Sequence, residues 1–258
     1  MTDNLSSTAF SRLKLLFGDA GMQRLSESHV AIVGLGAVGS FAAEALARTA
    51  IGEITLIDFD LIGETNINRQ LFALNSTVGQ AKVEVAAQRL HDINPEIKLN
   101  CHQVFYHHDT AAALLDNNKF DFLIDAIDGA APKLDLIRNC LQRKINFISA
   151  MGAAGRSRPN LVEIGDLLVT TGCPLAKVMR KQLRREGVKK GEVTVVYSPE
   201  PIVVESSAPE SFCDSEREEF FQRGRRRRIQ PSAIFMPGVF GLLTAQYAVD
   251  EILSPNLL

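Results

Sequence analysis

The chain has 258 residues, 46% of them hydrophobic, and a formal net charge of −2 at pH 7, which allows one sizeable core and excludes a protein that is basic throughout. Its four cysteines are widely spaced and form no CxxC pair, which argues against a disulfide framework and against a four-cysteine zinc site. The polar N-terminal segment has no apolar signal region, and no apolar run approaches the roughly 18–20 residues that span a bilayer, so we expect a soluble cytoplasmic protein without a membrane partner.

Strands and helices alternate from His29 to Gly152. A β-rich run at His29–Val33 ends in a glycine bend, and apolar residues at helical spacing follow over Val38–Thr49. The later elements are a strand at Glu53–Asp58, a helix at Gln80–Ile93, a strand at Ile97–Val104, a helix at Thr110–Asp116, a strand at Phe120–Asp128, a helix at Pro132–Lys144 and a strand at Ile145–Gly152. This alternation predicts an α/β fold with a Rossmann-like, mostly parallel sheet and helices on both faces.

The pattern changes after Gly152. We predict a basic helix at Leu175–Arg185, a strand at Glu192–Ser198, a loop at Ser198–Ser211, and a C-terminal extension at Ser232–Leu253 in which a strand turns into an apolar helix. No convincing linker marks the change near residue 153. We therefore expect a single domain over residues 1–258, with a nucleotide-binding half at 1–152 and a substrate-contacting half at 153–258.

The stretch IVGLGAVGSFAAEALA carries three glycines, Gly34, Gly36 and Gly39, between a strand and a helix. In such a bend the first glycine permits the turn, the second lets the backbone approach a phosphate, and the third lets the helix pack closely on the sheet. Asp58 ends the next strand, where a carboxylate would meet a ribose hydroxyl. The pattern favours nucleotide binding over a merely structural turn, but it does not separate NAD from ATP.

The loop after Asp58 helps to decide between these nucleotides. It offers a series of polar side chains, namely Asp60, Asn66, Asn68, Arg69 and Gln70, and Lys82 follows in the first turn of a helix. A triphosphate needs cations because charge grows on its oxygens as pyrophosphate leaves, whereas hydride transfer needs none there. The alternatives are a surface ion pair of Arg69 with Asp60 or Glu64, and a solvated helix face for Lys82.

Two carboxylates, Asp125 and Asp128, end the strand that closes with DAID. The carboxyl edge of a parallel sheet faces the ligand crevice, so Asp128 could hold Mg²⁺ against phosphate oxygens. The alternative is that Asp128 caps the following helix.

These stretches together resemble the ThiF-type adenylating superfamily, which includes ubiquitin-activating enzymes and the bacterial activators of sulfur-carrier proteins. The motifs are FSR (Phe10–Arg12), GLGAVGS, LIDFD, TNINRQ, VGQAKVE, INPEI and DAID, and the similarity runs from Phe10 to about Leu253. Within that superfamily, GDLLVTTGCPLAKVMRKQLRREGV and SAIFMPGVFGLL resemble the tRNA threonylcarbamoyladenosine dehydratases.

The resemblance implies a role for each matching residue. Asp58 would bind the ribose, Asp128 would hold Mg²⁺, and Arg12 would reach into the site of a partner subunit, which implies a homodimer. The nucleotide-binding set is Gly34, Gly36, Gly39, Asp58, Asp60, Asn66, Arg69, Gln70 and Lys82; the catalytic set is Arg12, Arg69, Lys82 and Asp128.

The resemblance also implies a reaction. A threonine carboxylate on adenosine 37 of tRNA would attack the α-phosphate of ATP, and the neighbouring carbamoyl group would then displace AMP and close a ring. Proximity alone suffices for ring closure, so no protein nucleophile is needed. The alternatives are an activator of a ubiquitin-like sulfur-carrier protein, whose usual CxxC zinc ligands this chain lacks, and a non-catalytic nucleotide-binding module or an NAD dehydrogenase. A sulfur-relay partner would also fit the superfamily.

Two basic clusters stand out in this slightly acidic chain. Arg223 and Arg225 to Arg228 form one, and the other follows Cys173, a residue that we expect to be a structural thiol. Concentrated positive charge indicates contact with a phosphate backbone, although a solvated helix face is the alternative. The predicted tRNA-binding residues are Lys177, Arg180, Lys181, Arg184 and Arg185, the last four of which share one helical face by their spacing.

Overall fold

The computed structural model describes residues 8–116, 118–202 and 230–254. Within them, seven strands form one sheet: β1 (His29–Val33), β2 (Glu53–Ile57), β3 (Lys98–His102), β4 (Phe122–Asp125), β5 (Phe147–Ala150), β6 (Glu163–Asp166) and β7 (Thr194–Tyr197). The strand order is β3-β2-β1-β4-β5-β7-β6. Every neighbouring pair is parallel except β6 and β7. All strands except β6 therefore end at the same edge of the sheet, which we call the carboxyl edge.

Helices cover both faces of this sheet. The described residues form α1 (Ser11–Glu27), α2 (Gly39–Arg48), α3 (Lys82–Ile93), α4 (His108–Leu115), α5 (Ala130–Arg143), α6 (Pro174–Arg185) and α7 (Phe235–Leu253). Short 3-10 helices lie at Glu64–Asn66, Pro159–Leu161 and Leu167–Val169. Among these helices none is long and apolar enough to cross a membrane.

The central strand β1 shows how both faces are buried. Val30 and Ile32 pack into a core with residues of α2, α3 and α7, whereas Ala31 and Val33 pack on the opposite face with residues of α4 and α5. Successive side chains of a strand point to opposite faces, and a parallel sheet between two helical layers therefore favours apolar residues on both faces of its strands. A further core lies between α5, α6 and β7.

The expected fold class is confirmed, and the local differences have physical reasons. Helix α1 is not evident from the sequence, because Gly18 interrupts it at φ +69° and Leu15 and Leu16 are exposed, which breaks the apolar stripe. The antiparallel edge strand β6 is half-exposed and has no apolar run. The prediction of a strand before α7 is wrong, since residues 232–234 are not part of any strand. Most of the loop predicted at Ser198–Ser211 lies outside the described residues.

Candidate nucleotide-binding site

The glycine bend joins β1 to α2 in very close contact with its surroundings. Gly34 has φ +97°, and a Cβ there would lie 2.8 Å from the carbonyl oxygen of Ala126. A Cβ on Gly39 would lie only 1.8 Å from the carbonyl oxygen of Gly34. Neither position has room for a side chain. The glycines thus allow the first turn of α2 to pack directly against the carboxyl ends of β1 and β4.

Gly36, in contrast, faces open space. A Cβ there would have one neighbour within 4 Å, the side-chain amide nitrogen of Gln70 at 3.9 Å. Backbone amides at the start of a helix attract anions, and a backbone that nothing covers lets a phosphate come close. The positions predicted for the three glycines thus divide into two packing positions and one open position.

Asp58 lies buried between the bend and the next loop. Its Oδ2 accepts a hydrogen bond from the amide of Leu35 at 2.6 Å, and its Oδ1 accepts one from the amide of Asp60 at 2.8 Å. Burial raises the pKa of this carboxyl, although the nearby Lys82 ammonium lowers it. Each oxygen retains a second lone pair, so ribose hydroxyl groups would add the donors that a buried carboxylate favours.

The loop after β2 is held beside the start of α2. Asn66 is buried, its Oδ1 accepts from the amide of Gly63 at 3.2 Å, and its carbonyl oxygen accepts from the amides of Arg69 and Gln70. The amide of Leu71 then donates to the hydroxyl of Ser40 in α2 at 3.2 Å. These bonds place the TNINRQ segment next to the glycine bend, as the prediction of a shared site requires.

Arg69 is folded onto its own loop. Its Nη1 donates to the carbonyl oxygen of Thr65 at 2.6 Å and to Oδ1 of Asn68 at 2.9 Å. The Asn68 amide in turn donates to the carbonyl oxygen of Ser232 at 2.9 Å, which connects this loop to the segment before α7. To bind a phosphate, the guanidinium would have to give up these neutral acceptors. Hydrogen bonds to anionic phosphate oxygens are stronger than those to neutral oxygens, so this exchange is favourable.

Lys82 is not on a solvated helix face, so that alternative is wrong. Its side chain is 5% exposed and its Nζ lies 2.8 Å from Oδ2 of Asp60, whose side chain is 11% exposed. The amide of Lys82 also donates to the carbonyl oxygen of Asp60. The buried ion pair with Asp60 therefore fixes the Lys82 ammonium at the carboxyl edge of the sheet.

The two carboxylates of DAID have different environments. Asp125 is fully buried at the end of β4, whereas Asp128 is exposed on the loop that follows. The N-cap of α5 is Gly129, so the expected alternative of Asp128 as the helix cap is wrong. An exposed carboxylate at this edge fits the hard oxygen donors that Mg²⁺ prefers. The sequence does not distinguish the two aspartates, because their burial depends on neighbouring strands.

The predicted basic face of α6 divides in two. Arg180 donates to the carbonyl oxygen and the hydroxyl of Thr170 at 2.6 and 2.7 Å, and Arg184 donates to the carbonyl oxygen of Leu168 at 2.7 Å. These contacts hold α6 to the 3-10 helix before it. Arg184 is nevertheless exposed, as are the remaining predicted residues Lys177, Lys181 and Arg185. The second basic cluster lies outside the described residues, and Cys173 is buried in the core as a structural thiol should be.

Arg156 is a structural residue that the sequence reasoning missed. It is 5% exposed, and its guanidinium donates to the carbonyl oxygens of Glu200 at 2.9 Å, Gly152 at 2.5 Å and Gly172 at 3.2 Å. It thereby ties together the loops that follow β5 and β7 and the loop that precedes α6. An arginine in the irregular stretch GAAGRSRPN has no periodic signal that could have revealed this role.

Arg12 is exposed in the first turn of α1. Large apolar side chains are also exposed on the same helix and on α7, with Leu15 at 88%, Leu16 at 73% and Leu242 at 52%. Within the described residues, Arg12 makes no hydrogen bond or ion pair with the other predicted site residues.

Comparisons with known proteins show the family and the fold of this chain. The ThiF family model matches residues 10–256. The tRNA threonylcarbamoyladenosine dehydratase of Bacillus subtilis (strain 168) is 42% identical over 247 residues, which are 95% of this chain and 94% of that protein. A crystal structure of Escherichia coli tRNA N6-threonylcarbamoyladenosine dehydratase in complex with ATP has a TM-score of 0.84 at 32% identity, covering 98% of this chain and 96% of that one. The molybdopterin-synthase adenylyltransferase of E. coli (strain K12) is 37% identical over 136 residues, 53% of each chain.

Proposed function

The chain belongs to the ThiF family, and from that premise we propose that it catalyses the ATP-dependent dehydration of N6-threonylcarbamoyladenosine at position 37 of tRNA. The observation that supports the proposal is an uncovered glycine, a buried aspartate and two basic side chains near one sheet edge, in a chain matched by dehydratases over more than nine-tenths of its length. Activation of a sulfur-carrier protein is favoured less, because the similarity to the molybdopterin-synthase adenylyltransferase covers only about half of the chain.

ATP would lie across the carboxyl edge of β1, β2 and β4. The second lone pairs of Asp58 would accept the ribose hydroxyl groups, and the amides around Gly36 would contact the phosphates. Lys82 supplies a fixed positive charge, and Arg69 exchanges Thr65 and Asn68 for phosphate oxygens. The side-chain amides of Asn66 and Gln70 complete the polar wall beside the phosphates.

Asp128 would hold Mg²⁺, which when bound neutralises charge on the phosphate oxygens. The threonine carboxylate attacks the α-phosphorus, a P–O bond forms, and pyrophosphate leaves. A nitrogen or oxygen of the carbamoyl group then attacks the acyl carbon and displaces AMP. The ring closes with net loss of one water, and the protein contributes positioning and charge, with no covalent nucleophile.

Lys177, Lys181 and Arg185 are the residues of α6 that we assign to the phosphate backbone of tRNA. Arg180 and Arg184 also hold the helix in place, so replacing either would affect tRNA binding through the position of α6 as well. We also propose a homodimer in which the exposed leucines of α1 and α7 pack between subunits, because large apolar surface that is exposed on a monomer usually marks an interface. In that dimer Arg12 acts on the partner's nucleotide.

The adenylation step is tested by ATP–pyrophosphate exchange in the presence of the substrate tRNA. Arg69→Ala and Asp128→Ala should each lose exchange by about a hundredfold or more while keeping the wild-type melting temperature, because each removes charge stabilisation of the transition state. Matched controls are Arg48→Ala at the far end of α2 and Asp92→Ala on the exposed face of α3. Wild-type exchange in both site variants would refute the proposed site.

A further inference from the structure

Three polar side chains are buried under the loop that carries Asp128. The ammonium of Lys133 donates to Oδ2 of Asp125 at 2.8 Å and to the hydroxyl of Ser149 at 3.2 Å, and that hydroxyl donates to the same Oδ2 at 2.6 Å. The side chains of Lys133 and Asp125 are both 0% exposed. They come from α5, β4 and β5, so three separate elements meet at one carboxylate.

A buried ion pair is a costly way to stabilise a core. Removing two charges from water can cost more than their mutual attraction returns, and apolar residues of similar volume often serve stability as well or better. Lys133 and Asp125 are too deeply buried to touch ATP or tRNA. Their arrangement therefore calls for an explanation other than catalysis or simple packing.

The second oxygen of Asp125 points to that explanation. Its Oδ1 accepts a hydrogen bond from the amide of Ile127 at 3.0 Å, at the start of the loop. The amide of Ala126 donates to the carbonyl oxygen of Val33 at 2.9 Å, and Ala126 is also the residue against which Gly34 packs. The loop is thus held between the glycine bend and the Asp125 carboxylate.

We propose that Lys133 and Asp125 are positioning residues that fix the loop from which Asp128 would bind magnesium. This inference rests on the proposed function of Asp128. Ser149 and Lys133 bind one oxygen of Asp125 and leave the other aimed at the amide of Ile127. Such support behind a ligand commonly changes metal affinity by tenfold to a hundredfold when it is removed.

The test compares two double variants that both remove the buried charges. Asp125→Asn/Lys133→Met keeps an oxygen that can accept from the amide of Ile127, whereas Asp125→Leu/Lys133→Met removes it. Affinity for Mn²⁺, used as a magnesium substitute, is measured on the ATP complex by electron paramagnetic resonance. Hydrogen exchange at the Ile127 amide and the affinity for AMP without metal are measured on the same preparations.

The Leu/Met variant should bind Mn²⁺ about tenfold more weakly and exchange the Ile127 amide faster, with unchanged AMP affinity, while the Asn/Met variant stays close to wild type. A folded Leu/Met variant with wild-type Mn²⁺ affinity would overturn the proposal. If that variant does not fold, Ser149→Ala takes its place, since it removes one donor to Asp125; unchanged exchange and Mn²⁺ affinity there would also overturn it.

Asp128→Ala separates this inference from the proposed function. If Asp128→Ala binds Mn²⁺–ATP as tightly as wild type, the metal role of Asp128 is wrong and the positioning role has nothing to support. If Asp128→Ala loses affinity and the Leu/Met variant does not, only the positioning role is wrong.

Discussion

At the scale of single residues, one added methyl group separates the binding role of Gly36 from the packing role of Gly39. Gly36→Ala meets no atom closer than 3.9 Å, so we expect a stability change within about 1 kcal/mol. Its methyl group would occupy the space in front of the backbone, and ATP affinity should fall about tenfold or more because a phosphate can no longer approach closely. Gly39→Ala places a Cβ 1.8 Å from the carbonyl oxygen of Gly34 and should not fold stably.

Thermal unfolding and calorimetric ATP titration check this pair. Tight ATP binding by a folded Gly36→Ala variant would show that the phosphates do not lie at Gly36.

The sequence predicted the positions of those residues whose role depends on their spacing within one strand–bend–helix–strand unit. Gly34, Gly39 and Asp58 follow from the order of strand, bend, helix and strand, and the structure brings them together. Lys133 and Arg156 were not predictable as buried groups, because a charged side chain is buried only when distant segments supply its partners.

At the scale of elements, helix α6 presents two sets of basic residues with different surroundings. Reversing the exposed pair, Lys181→Glu with Arg185→Glu, should weaken tRNA binding and reduce the slope of log affinity against log salt by about one for each phosphate that the variant no longer neutralises. The matched control is Lys98→Glu with Lys119→Glu, since both lysines are exposed near the amino ends of β3 and β4, away from the carboxyl edge. Filter binding at several salt concentrations measures both; equal slopes for wild type and the α6 variant would rule out this face.

Element type was predicted best where both faces of a strand are buried. β1, β2 and β4 are largely apolar and were predicted near their observed positions, although the strand predicted at Phe120–Asp128 is shorter, at Phe122–Asp125. The edge strand β6 was missed, because an exposed edge does not require apolar residues. Helix α1 was missed because its exposed leucines do not follow the period of a helix that is packed on one side.

At the scale of the whole molecule, the proposed dimer places Arg12 of one subunit in the nucleotide site of the other. Two inactive variants, each with one defective residue, should therefore restore activity when their subunits are mixed. When Arg12→Ala and Asp128→Ala subunits are mixed and allowed to re-form dimers, half of the dimers carry one intact site, so exchange should recover to about a quarter of wild type. Each variant alone should stay inactive. A mixture that remains inactive, while an affinity tag on one variant co-purifies the other, would place Arg12 in its own subunit's site.

The proposed reaction is tested most directly by the mass of the modified nucleoside. The protein is incubated with ATP, Mg²⁺ and tRNA that carries threonylcarbamoyladenosine. The tRNA is then digested to nucleosides, and their masses are measured by mass spectrometry. We predict that the threonylcarbamoyladenosine loses one water, in step with formation of AMP and pyrophosphate, and that Asp128→Ala leaves its mass unchanged. An unchanged nucleoside mass with the wild-type protein, under conditions in which ATP is bound, would contradict the proposed function.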